Sequence, residues 1–381
     1  MNPDDVTLST FDSFGDVAAE DDAVLEYFLS TNAVKSIADG KAFLVLGRKG
    51  TGKTAIVRHF TEGNAGRLSR SLNLRGYPWS VHERRIDYGA SEIEAYVSSW
   101  RYLLAVKLAA LVLSHSKSSV SLETPPLRKF LRDNYGGADP QLTDVLRPAR
   151  LSLGRLSLKP SIMGNALGGV DLDRDGKDHR LGLELNALST AIMQAVYVVA
   201  EEAKTGALSL HFDELDAGLS RLDESRSKMI IGLVLAAREL RREGHARGVN
   251  INPVVYLRTD LWDDLEFSDK NKISQTLTLF LEWNSNSLRA LVDARLKAKL
   301  GHNVNWENVV EPDLMRGSQK KWNHILARTF ERPRDVISFL NICLKETKLN
   351  ELEPRKIRNK DVVNSREAYS TYLKPHESPH F

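Results

Sequence analysis

The stretch Phe43-Leu44-Val45-Leu46-Gly47-Arg48-Lys49-Gly50-Thr51-Gly52-Lys53-Thr54 constrains this chain more than any other. Four consecutive apolar residues between Gly40 and Gly47 predict a short strand buried on both faces. Ala55-Ile56-Val57-Arg58-His59-Phe60 continues at once in a helical pattern. The loop between them fits G-x-x-x-x-G-K-[ST], with Gly47, Gly52, Lys53 and Thr54 at the fixed positions. Glycines at 47, 50 and 52 permit positive φ, so backbone N–H groups turn inward and, with the helix N-terminus, surround the phosphates of a nucleotide. Lys53 then reaches the β- and γ-phosphates as a point charge, and the Thr54 hydroxyl ligates Mg²⁺. A glycine-rich turn that matches by chance would not need a strand before it and a helix after it, and both patterns are present.

At 381 residues the chain exceeds what one hydrophobic core usually serves, which predicts a core domain and a smaller one. No apolar run approaches the roughly 18 residues that span a bilayer, and the N-terminus lacks a basic-then-apolar leader, so the expectation is a cytoplasmic protein with no membrane partner. The single cysteine, Cys343, excludes an internal disulfide; beside Ile342 and Leu344 it reads as a small core residue rather than a nucleophile. The net charge of +3 is unevenly spread. Residues 1–26 carry eight acidic residues and no Lys or Arg, and read as a solvated arm. Residues 316–360 carry twelve Lys or Arg against five Asp or Glu, and read either as a solvated helix face or as a nucleic-acid contact.

Taken in order, residues 1–18 are expected to be a flexible acidic arm, and Asp21–Ala38 has the spacing of a helix leading into the first strand. Gly63–Gly76 is polar and turn-rich, Val81–Tyr88 predicts a second strand, and Ser91 with Glu94 predicts a capped helix running to about Ser114. From about 117 to 180 Pro and Gly break the pattern, which predicts an insertion with small hairpin strands at Leu151–Leu158. Within it Asp171-Leu172-Asp173-Arg174-Asp175-Gly176 copies the start of a calcium loop, but Gly182 occupies the position of the bidentate Glu, so a surface turn is the better reading. Helices are predicted over Leu183–Lys204, Ser225–Glu243, Ser287–Leu300, Trp322–Phe330 and Arg334–Thr347.

Two further buried strands carry chemistry at their ends. Ala207–Phe212 closes on Asp213-Glu214, the adjacent carboxylates that a Mg²⁺-dependent nucleotide hydrolase needs: Asp213 to hold the metal through water and Glu214 to polarise the attacking water. Pro253–Leu257 ends in Arg258-Thr259-Asp260. Strand ends of a parallel sheet meet at the ligand crevice, so either Thr259 or Arg258 senses the γ-phosphate, or Asp260 caps the next helix while Arg258 pairs with an acid. Farther on, Pro333 starts a helix between Arg332 and Arg334. The helix dipole gives a cation nothing there, so one of them reaches a nucleotide phosphate or both simply face water.

The set GRKGTGKT, HFDELD, VVYLRTDLW and ERPRDVISFLN resembles a group of bacterial P-loop ATPases related to the AAA-type and STAND ATPases, some of whose members lie near mobile or antiphage-defence genes. The resemblance covers about residues 20–375. It implies an α/β P-loop NTPase of the additional-strand type, with a central, mostly parallel sheet and a smaller all-helical lid. Its core would be 19–265, with the helical lid and C-terminal segment at 266–381. The Walker A loop would be Gly47 to Thr54, with Arg48, Lys49, Gly50, Thr51, Gly52, Lys53 and the following Ala55 against the nucleotide. The Walker B pair would be Asp213 and Glu214, the first sensor Thr259 with Arg258, and the second sensor Arg332 or Arg334. ATP is expected over GTP because no Asn-Lys-x-Asp is present. The resemblance also implies a homo-oligomer and an effector partner; similar proteins continue past Phe381, so an output domain would be absent or supplied by that partner. Two functions stay open: an ATPase whose turnover drives a conformational cycle or assembly, and a nucleotide-held scaffold that recruits an effector.

Overall fold

The computed structural model describes residues 6–63, 68–75, 77, 92–146, 180–215, 217, 222–351 and 353–373. Its strands are β1 Leu44–Leu46, β2 Leu68–Asn73, β3 Leu208–Asp213, β4 Ile251–Leu257 and β5 Thr278–Phe280. Its helices are α1 Asn32–Ala38, α2 Lys53–Thr61, α3 Glu92–Leu113, α4 Thr124–Tyr135, α5 Leu142–Leu146, α6 Arg180–Ala203, α7 Glu224–Ala246, α8 Thr259–Asp263, α9 Lys270–Thr276, α10 Ser285–Leu300, α11 Trp306–Val309, α12 Lys321–Leu326, α13 Pro333–Asn350 and α14 Asn359–Leu373. The chain divides into two compact units, one of Ser36–Leu46 and Phe60–Phe280, the other of Met1–Lys35, Gly47–His59 and Leu281–Phe381.

The first unit is an α/β layer structure around a five-stranded parallel sheet of order β2-β3-β4-β1-β5. β1 and β4 are buried at every position, as strands covered by helices on both faces must be. Leu44 pairs with Val255 on one side and Thr278 on the other, which puts β1 inside the sheet. β4 stands between β1 and β3. The edge strand β2 lies within the stretch read from sequence as turn-rich. An edge strand needs one partner, and Leu-Ser-Arg-Ser-Leu-Asn buries only Leu72, so its polar residues hide it. The expected strand at Val81–Tyr88, the cap at Ser91, the Leu151–Leu158 hairpin and the calcium-like turn lie outside the described residues. In the expected insertion, the described part forms α4 and α5.

α3, α6 and α7 make the helical layer. Trp100 on α3 donates its indole N–H to Met229 O at 2.8 Å and packs edge-on against Phe212 of β3. Among the described residues one helix, Ile93–Leu113, is long and apolar enough by length and composition to cross a membrane, with mean hydropathy 1.3, although Ser98, Ser99, Arg101 and Lys107 interrupt its apolar residues. It is 89% buried inside the protein, so its apolar surface is spent on the core.

The second unit has its own core, in which Val292, Trp306, Phe339 and Tyr369 meet Leu8, Phe11 and Phe14. Residues 6–14 are therefore not a free arm. Leu8 N–H donates to Pro354 O at 2.8 Å, Phe14 N–H to Asn341 Oδ1 at 2.7 Å, and Asn341 Nδ2 to Gly15 O at 2.8 Å. The acidic count misleads there because Asp22 is buried in an ion pair with Arg295 at 2.8 Å, beneath the Tyr27 hydroxyl, which donates to it. The helix expected over 21–38 is split into a 3₁₀ turn, Val24–Tyr27, and α1. Between them Phe28 is extended and stacks on His59 at 4.0 Å. Cys343 is fully buried, and burial pushes its thiol up to about 12, as a core residue requires.

Candidate functional site

β1 runs directly into the glycine-rich loop. Gly50 and Gly52 have φ of +85° and +94°, the left-handed region that admits glycine without strain. Gly47 differs from expectation: its φ is not positive, and its reason is space. A Cβ there would lie 2.5 Å from Thr51 Oγ1 and 3.1 Å from Leu281 Cβ. Thr51, 5% exposed, closes the turn by donating its hydroxyl to Arg48 O at 2.8 Å. Trp283, which follows β5, donates its indole N–H to Thr51 O at 2.9 Å. Lys53 Nζ folds over the loop and donates to Gly47 O at 2.8 Å and Arg48 O at 3.2 Å. Arg48 and Lys49 are exposed, and Gly52, Lys53, Thr54 and Ala55 are half-buried, so the first turn of α2 is open to a ligand.

The two arginines around Pro333 part company. Arg332 Nε binds Asp335 Oδ2 at 2.5 Å, and its guanidinium lies 4.8 Å above the Phe330 ring. Asp335 is 2% exposed, so Arg332 neutralises a buried carboxylate in the first turn of α13. Arg334 instead covers the loop. Its backbone N–H donates to Gly50 O at 3.3 Å, and a Cβ on Gly50 would lie 2.8 Å from Arg334 Cβ. Sequence alone left the pair equivalent because both flank the same proline; only packing separates them.

In the sheet, β1, β3 and β4 are parallel and end on one edge. Asp213, 6% exposed, ends β3, and its carbonyl accepts from Leu74 N at 3.0 Å. Glu214 follows at φ +58°, an uncommon backbone for a residue with a Cβ and a sharp turn out of the strand. Asp213 shares a strand face with His211, two residues earlier. His211 is fully buried, with Nδ1 2.9 Å from the Tyr256 hydroxyl and its ring stacked on Phe60 at 5.1 Å. Burial lowers the His211 pKa to about 3, so the imidazole is neutral. Tyr256 is raised well above its ordinary value by burial and then by the Asp213 charge. The pair was missed in sequence; its signal was a histidine and a tyrosine inside otherwise apolar strand patterns.

At the end of β4, Arg258 pairs with Asp260 through Nε at 3.1 Å and through a second, shorter bond. Burial tends to raise the Asp260 pKa, but the Arg258 hydrogen bond and charge and the N–H groups of Asp260 and Leu261 hold it below the usual value. This is the ion-pair alternative read from sequence. Thr259 opens α8, half-buried beside it.

Among the described residues no three His, Cys, Asp or Glu side chains gather as a metal cluster. Mg²⁺ on a nucleotide does not need one, because it keeps waters and phosphate oxygens and takes one or two protein oxygens. Residues 286–375 match the FunZ-associated C-terminal helical domain. The match begins in α10 and ends just after α14, so it takes in Arg332 and Arg334. No curated protein matches the chain.

Proposed function

We propose that the protein is an ATP-binding, Mg²⁺-dependent ATPase of the additional-strand P-loop class, whose nucleotide state sets a conformational change or assembly. The observation that carries this reading is the strand order: the loop follows β1, the acidic pair follows β3, and β4 stands between them in one parallel sheet. That is the arrangement expected when an extra strand separates a phosphate loop from its carboxylates. In this reading the N–H groups from Gly47 to Ala55 hold the phosphates, and Lys53 leaves the loop carbonyls for the β- and γ-phosphates. The Thr54 hydroxyl and, through water, Asp213 hold Mg²⁺. When bound, the ion neutralises phosphate charge. Glu214 orients and polarises the attacking water. Arg334, over Gly50, senses the γ-phosphate, with Thr259 as the sensor at the end of β4; Arg258 and Arg332 hold carboxylates instead. Homo-oligomerisation, an effector partner and a place in antiphage defence extend the proposal on the resemblance of the motifs.

Calorimetry and phosphate release test it. Lys53→Ala is expected to weaken ATP binding by more than tenfold, because that lysine supplies the point charge for the β- and γ-phosphates. Glu214→Gln is expected to keep ATP affinity and lose hydrolysis. Equal ATP affinity in wild type and Lys53→Ala would remove the nucleotide site. ATP bound without turnover in the wild type would replace the ATPase by a nucleotide-held scaffold.

A further inference from the structure

Within the segment that matches the FunZ-associated domain, Arg328, just past α12, and Arg366, on α14, both donate to His324 of α12. His324 is 5% exposed, and its Nδ1 lies 3.2 Å from Gln319 Oε1, an acceptor, so Nδ1 carries the proton and Nε2 accepts. Arg366 donates to that Nε2 from Nη2 at 2.6 Å and from Nε at 3.2 Å. Arg328 Nη1 donates to the His324 carbonyl at 2.9 Å. One guanidinium thus sits on the neutral ring and the other on the main-chain carbonyl of the same residue, and neither has a carboxylate partner among the described residues. Burial, and then the charges of Arg328 and Arg366, push His324 down to about 4; burial and the Arg366 charge also lower Arg328.

Four other arginines of this unit do have carboxylates. Arg295 has Asp22, Arg289 has Asp293 and Glu307, Arg332 has Asp335 and Arg358 has Asp361. An uncompensated pair is electrostatically unfavourable by itself, so the geometry holds donors ready for an external anion. The guanidinium N–H groups not used on His324 are fork-shaped donors suited to phosphate. The surroundings extend the attraction beyond one anion, since residues 316–360 carry twelve basic against five acidic residues. Two residues after Arg328, Phe330 is 47% exposed and carries the Arg332 guanidinium 4.8 Å from its ring.

We propose that Arg328 and Arg366, set by His324, form a binding site for a phosphodiester of a nucleic-acid backbone. The site shares no residue with the proposed ATP site, and its test needs no ATP.

The experiment is fluorescence anisotropy of the full chain, without nucleotide, against labelled single-stranded DNA, duplex DNA and RNA over a range of salt. Arg366→Gln and Arg328→Gln are each expected to weaken the tightest of these complexes by about tenfold and to make the slope of log K against log salt shallower by about one. Lys297→Gln, an equal charge change at an exposed position on α10 outside residues 316–360, is expected to leave both within about twofold of wild type. The His324 ring resonances should move on adding the oligonucleotide to wild type and stay put in Arg366→Gln. Arg328 is exposed, so its variant keeps the test decisive if Arg366→Gln fails to fold. No binding of any of the three nucleic acids would overturn the proposal. So would wild-type affinity and slope in both arginine variants, or displacement by polyglutamate or inorganic phosphate as effective as by unlabelled oligonucleotide.

Discussion

Replacing His211 by Phe should change how stability depends on pH, because this imidazole is held neutral inside the sheet layer. Its pKa is about 3 in the folded chain against 6.5 for an ordinary histidine. A folded value below the unfolded one means that the unfolded chain takes up the proton first on acidification. The contribution is therefore fully present above pH 6.5 and is lost as pH falls from 6.5 toward about 3. At pH 5 the unfolded side chain is about 1.5 pH units below its pKa while the folded one is still neutral. At about 1.4 kcal/mol per unit, the loss relative to pH 8 is about 2 kcal/mol. His211→Phe keeps the stack on Phe60 but removes the partner 2.9 Å from the Tyr256 hydroxyl, a cost of about 1–3 kcal/mol that does not vary over this range. The wild type should thus exceed the variant most at pH 8, and the gap should shrink by about 2 kcal/mol at pH 5. Guanidinium unfolding followed by tryptophan fluorescence at both pH values measures it. Tyr256→Phe, which keeps the imidazole, should retain the wild-type pH slope. Parallel stability curves for wild type and His211→Phe would refute the reasoning, because they would mean that His211 titrates alike in both states.

Arg332→Ala should lower stability by about 2 kcal/mol, since it strands the carboxylate of Asp335 at 2% exposure, partly offset by the helix N-terminus. Arg334→Ala should leave the melting temperature without nucleotide unchanged and reduce ATP turnover about tenfold or more. Comparing the two variants in both assays checks the split, and equal behaviour would contradict it. Gly47→Ala should disturb the loop through Thr51 Oγ1 at 2.5 Å, and Gly47→Ala with Thr51→Ala should recover part of the loss in a thermal-melt double-mutant cycle. Simple additivity would show that Gly47 is glycine for some reason other than this contact.

The strand-loop-helix at Phe43–Phe60, the acidic end of β3 and the buried strand β4 were legible because each is local. Apolar runs name buried strands, and glycines with a fixed lysine spacing name a loop, whatever surrounds them. The long helices came through for the same reason: their periodicity spans many residues. The edge strand β2 was not legible, because a polar strand with one buried residue has no pattern until a neighbour supplies its hydrogen bonds. Nor was the docking of Leu8, Phe11 and Phe14, whose apolar spacing is masked by acidic neighbours and whose partners lie about 300 residues away. The choice between Arg332 and Arg334, the reason for Gly47 and the contact of Arg366 with the His324 ring belong to the same class. Each depends on which side chain from a remote part of the chain arrives within hydrogen-bond or van der Waals reach. Local pattern sets backbone and element type, whereas partners are set by packing, and only the tertiary structure decides those.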